Sequence, residues 1–105
     1  MAQIRGECDA TLDAIAAALA PYENAHPDAH VVIYRQNSVS VRIRITDPDF
    51  EGTTKADRHD TVWACFGGLS EDDQTQITLL LLLTPDETPV SFANYEFDHP
   101  IPSNL

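Results

Sequence analysis

The chain has 105 residues, 43% of them hydrophobic and 22% charged, which is the composition of one small folded domain and not of a disordered segment. Six basic against 17 acidic residues leave a formal charge of −11, a field that repels phosphate backbones and anionic membranes and argues against a nucleic-acid partner. Cys8 and Cys65 are too few for a disulfide framework and stand in no CxxC pair. The longest wholly apolar run, Leu79 to Leu83, falls far short of the ~20 residues of a membrane span. Polar residues interrupt the first twenty, so no signal peptide is expected, and a cytoplasmic location is the default.

In chain order, Leu12, Ile15, Ala16 and Leu19 recur at helical spacing, with Asp9 or Thr11 as the cap and Pro21 as the stop or kink. The segment PYENAHPDAH then reads as a connector. HVVIYRQ and VSVRIRIT alternate with period two and are β-branched, predicting a hairpin turning at Asn37-Ser38. After the turn DPDFEG, Thr54 and Asp57 form a T-x-x-D start signal, predicting a helix from about Lys55 to Phe66 that Gly67-Gly68 ends through a positive φ. SEDDQ reads as an acidic turn, QITLLLLLT as a third strand, and the Pro-broken remainder as a tail. A strand–helix–strand crossover sets the third strand parallel to the second. The expected fold is therefore α+β, a two-layer αββαβ sandwich with a mixed three-stranded sheet and helices on one face; residues 1–88 form the domain and 89–105 an acidic, Pro-containing tail.

Several chemistries can be weighed on spacing. Asp47, Asp49, Glu51 and Gly52 follow a calcium-loop register, but Lys55 and Arg58 occupy positions 9 and 12, where oxygen ligands are required. His26 and His30 have zinc-like i, i+4 spacing, yet Pro21 and Pro27 oppose a rigid helix there and no Cys/His pair joins them. Cys65 and His59 lie six residues apart and diverge around a helix, so no nucleophile–base pair can be assembled and no enzyme is expected. His59 shares a stripe with Val62, Trp63 and Phe66, which places it on or beside the packed face of its helix.

Phe50-x-Gly52, five residues, Arg58-His59, two residues, Val62 and the aromatic Trp63 together resemble the signature of BolA-like proteins. LSEDDQTQITLLLLLTPDE resembles that family's return through its third strand, and the likeness spans roughly residues 19–87. The resemblance implies a class II KH-like fold and a non-enzymatic interaction module that partners monothiol glutaredoxins. It also implies that His59 is a ligand of a [2Fe-2S] cluster shared with that partner; an imidazole in place of one thiolate is sound iron–sulfur chemistry. The family's first hairpin loop is longer and often carries a His or Cys, whereas RQNSVS offers no such ligand. That difference supports the other reading, a binding or assembly protein of the same fold without the iron–sulfur role. The family's last helix is expected to be replaced here by the tail.

The apolar third strand raises a packing question. Its leucines alternate between two faces, so one set lies on the face away from the helices, beside Arg42 and Arg44. Either the tail covers that face, through Phe92, Tyr95, Phe97 and Ile101 with Glu96 and Asp98 meeting the arginines, or a second copy does, giving a homodimer in place of a monomer. The tethered tail is the favoured cover.

Overall fold

The computed structural model describes residues 1–101. It is an α+β fold built on a four-stranded mixed sheet of order β1-β2-β3-β4, with β1 at Gln3–Arg5, β2 at His30–Asn37, β3 at Ser40–Thr46 and β4 at Ile77–Leu83. β2 and β3 are antiparallel, and β4 runs parallel to β3, as the crossover rule requires. β1 adds a parallel edge beside β2. β1 is a fourth strand beyond the three expected, because a three-residue edge segment is too short to show a period.

Helix α1, Ala10–Ala25, starts where the Asp9 carboxylate accepts from the Leu12 amide at 2.9 Å. It buries Leu12, Ile15, Leu19 and Tyr22. Pro21 does not end it; Tyr22, locked in the core one residue later, carries the helix one more turn to Ala25. The first half of the presumed connector is thus helical. The hairpin closes with Asn37 opposite Ser40, so Ser38 and Val39 form the two-residue turn, one position later than expected.

Thr54 caps α2, Lys55–Trp63, by accepting from the Asp57 amide at 3.1 Å, and the chain tightens into a 3-10 turn over Ala64–Phe66. Gly67 follows at φ −60, so this end needs no left-handed residue, contrary to the expectation. SEDDQ is not a turn but the start of a short helix, α3 at Glu71–Gln76. Ser70 caps it and three carboxylates lie at its positive end.

One core lies between the sheet and α1 and α2, formed by Leu12, Ile15, Leu19, Ile33, Ile43, Ile45, Val62 and Phe66 among others. A second, smaller cluster lies on the opposite face: Val32, Tyr34 and Phe97, with Leu79 and Leu81 packed against them. Phe97 belongs to α4, Phe92–Asp98, which forms within the segment read as a tail. Helices therefore flank both faces of the sheet, not one. Phe97 is fully buried, and the Tyr34 hydroxyl donates to its carbonyl at 2.8 Å. Asp98 accepts from Arg5 and from Arg44, each at 2.9 Å, and both guanidiniums lie over the Phe97 ring. Burial pushes the Asp98 carboxyl up, but Arg5 and Arg44 together outweigh it and hold it below its ordinary value. Of the other aromatic and aliphatic residues expected to cover this face, Phe92, Tyr95 and Ile101 stay exposed.

Candidate functional site

Of the six residues of the Phe50–Trp63 signature, Phe50, Arg58 and Val62 are buried, Trp63 is half-buried against the core, and Gly52 and His59 are exposed. Gly52 takes φ +77 with no atom near the place a Cβ would occupy, so the turn needs glycine for its backbone angle alone. Phe50 and Val62 are core residues. Arg58 is only 6% exposed. Its Nη1 donates to the Leu82 carbonyl at 3.1 Å and to Glu87 at 2.6 Å, Nη2 donates to the other Glu87 oxygen at 3.3 Å, Nε donates to Thr53, and the guanidinium lies over Phe50. The buried stripe of α2 is thus Arg58 and Val62, continued by Phe66 in the 3-10 turn that follows, and His59 is turned off it.

Glu87 completes this staple. It accepts from the Thr84 amide at 2.8 Å, in a capping box at the 3-10 turn Pro85–Val90. The Arg58 hydrogen bond, followed by that of the Thr84 amide, depresses its carboxyl to about 2. The T-P-D-E spacing from Thr84 to Glu87 carried this cap signal in the sequence; the buried arginine that uses it had no local signal.

His59 is exposed, and its ring stacks on Trp63 with centroids 5.7 Å apart and planes within 11°. Trp63 is braced in turn by an edge contact with Phe66. The imidazole is therefore held to a rigid helix while its edge meets solvent. Cys65 is half-buried against the core, and burial pushes its thiol up, so it stands as an inert packing residue. Cys8 and Cys65 are both free. The hairpin turn Ser38-Val39 brings no imidazole or thiol.

A second cluster went unseen in the sequence because it joins two separate segments, the end of α1 and the loop after β3. Tyr22 and His26, one turn apart at the end of α1, stack with centroids at 4.2 Å. The fully buried Asp47 accepts from the Tyr22 hydroxyl at 2.5 Å and from the Asp49 amide at 2.9 Å, and its own amide donates to the Leu83 carbonyl. His26 Nδ1 lies 2.7 Å from Asp49 Oδ2 and 3.3 Å from Asp47 Oδ2. Burial, then the hydrogen bond to Asp47, raises the Tyr22 phenol far above its ordinary value, so it remains a donor. His30, by contrast, opens β2, so the i, i+4 histidine pair is not a unit.

No described helix is long and apolar enough to cross a membrane. Comparison with family models, with curated proteins and with solved structures gives no match to this chain.

Proposed function

We propose that this protein is a BolA-like interaction module that offers His59 to a partner-held [2Fe-2S] cluster, the partner being a monothiol glutaredoxin, and that it has no catalytic activity of its own. The observation that carries this reading is the exposed His59 imidazole, stacked on Trp63 on a helix that Arg58 staples to the sheet. An imidazole so held has little freedom left to lose on ligation, and its exposure leaves it open to a partner. The donor set fits a shared cluster and not a resident one. His59 supplies one nitrogen, Cys65 faces the core, and the hairpin turn offers none, so the remaining ligands come from the partner.

That bare turn also supports a second reading, an assembly module of the same fold with no iron–sulfur role. One reconstitution separates the two. Mixed with a monothiol glutaredoxin, iron and sulfide, the protein is expected to form a complex whose visible spectrum differs from that of the glutaredoxin homodimer, and His59→Ala is expected to erase the difference. A mixed spectrum identical to the homodimer's removes the cluster role and leaves the second reading.

A further inference from the structure

At the end of α1 an imidazole and two carboxylates converge, with Tyr22 and the Asp49 amide donating to Asp47 and His26 facing Asp49. Two carboxylate oxygens, on Asp47 and Asp49, converge on the single Nδ1 of His26, which carries at most one hydrogen. Arg58 is the cation lining the adjoining pocket, and its guanidinium is committed to Glu87, the Leu82 carbonyl and Thr53. Asp57 adds a further carboxylate to that pocket. In a chain of formal charge −11, such a site calls for a positive ion.

We propose that His26, Asp47 and Asp49 bind a first-row divalent transition ion, for which zinc is the type. The edges of the ligand triangle carry the choice. Two donors each ~2.0–2.1 Å from one ion lie roughly 2.8–3.4 Å apart at octahedral to tetrahedral angles. The present edges at Nδ1 are 2.7 and 3.3 Å, and all three donor atoms lie within 4.8 Å of one another. Replacing the Nδ1 hydrogen with the ion needs a small opening of the His26–Asp49 edge, with the exposed Asp49 carboxylate turning to set its distance from Asp47, and the imidazole keeps its hydrogen on Nε2. Calcium prefers six to eight oxygens at longer distances, a set this mixed nitrogen–oxygen triangle does not provide.

The surroundings are those of a built site. Tyr22 orients two of the three ligands at once: its hydroxyl fixes the Asp47 carboxylate and its ring face fixes the His26 plane. The Asp47 backbone is tied to β4 through Leu83. Only Asp49 lies on the open side, where it can close onto an arriving ion. The pocket of about 100 Å³ beside it, lined by Tyr22, His26, Asp49, Thr53 and Asp57, leaves room for waters to complete the coordination.

The test is calorimetric titration of zinc into the chelator-treated full chain, with a melting curve at each end point. One-to-one binding and a higher melting temperature are expected. His26→Ala and Asp49→Asn should each abolish both, and Tyr22→Phe should weaken binding by about 10–100-fold while keeping the stoichiometry. His59→Ala should bind zinc as the parent does, and calcium should give neither heat nor a melting shift. Circular dichroism checks that each variant is folded. Should His26→Ala not fold, Asp49→Asn decides the matter, because that carboxylate is exposed and outside the core. Absence of zinc binding by the parent, equal affinity in the parent and Asp49→Asn, or loss of binding in His59→Ala each overturns the proposal.

Discussion

Ending the chain after Pro89 is expected to lower the melting temperature by more than about 10 °C and to make the protein self-associate in light scattering. The cut removes α4 and with it Phe97, whose burial closes the second cluster over Val32 and Tyr34. Leu79 and Leu81 lose the same cover, so a contiguous apolar patch opens on the sheet. Arg5 and Arg44 lose Asp98 as well, and Arg44 loses Asn94. The point variant Phe97→Ala isolates the packing part: emptying a fully buried phenylalanine site costs about 3–5 kcal/mol, or on the order of 10–20 °C in a domain of this size. A truncated chain as stable and as monodisperse as the parent would show that α4 contributes nothing as a cover.

α4 leaves little trace in the sequence pattern, although the surface it covers does. The need for a cover was legible, because five consecutive leucines on a strand cannot all face one layer. So was the pairing of Asp98 with Arg44. The helix itself was not: seven residues between Pro89 and Pro100 carry less than two helical turns, too few for a period to stand out. Long elements with strong alternation, β2, β3 and α1, were read correctly in kind, and the parallel return of β4 followed from handedness alone. The errors are local: a proline that the core overrides in α1, a turn displaced by one residue, an acidic segment that caps a short helix.

The candidate sites divide the same way. His59 and its neighbours were found because they lie within one contiguous motif. The His26–Asp47–Asp49 cluster was missed because its members belong to the end of α1 and to the loop after β3, which meet only after the sheet is formed. Within the motif the roles are also redistributed: the stripe rule placed His59 near the packed face, whereas a buried Arg58 takes the core position. A charged side chain there contradicts hydrophobic periodicity and is tolerated because Glu87, 29 residues away, receives it.

Arg58→Ala is expected to destabilise the fold by about 2–4 kcal/mol, since it strips a buried carbonyl of its donor and empties the space over Phe50. Arg58→Lys should recover little of this, because an ammonium cannot reach the Leu82 carbonyl and both Glu87 oxygens in one plane. Glu87 is 39% exposed, so water screens its share of the pair, and Glu87→Gln should cost less than the arginine variant. The pH dependence identifies that share. The Glu87 carboxyl is depressed from 4.5 to about 2 in the folded protein, so the stability it contributes is complete above pH 4.5 and is lost as the pH falls through about 2. Between those limits the parent should lose stability with acid faster than Glu87→Gln does, and the two melting curves should draw together towards pH 2. Parallel curves across that window would remove the ion pair as the fastening between α2 and the end of β4, leaving the Leu82 carbonyl as the anchor that holds Arg58, and with it the His59 platform, in place.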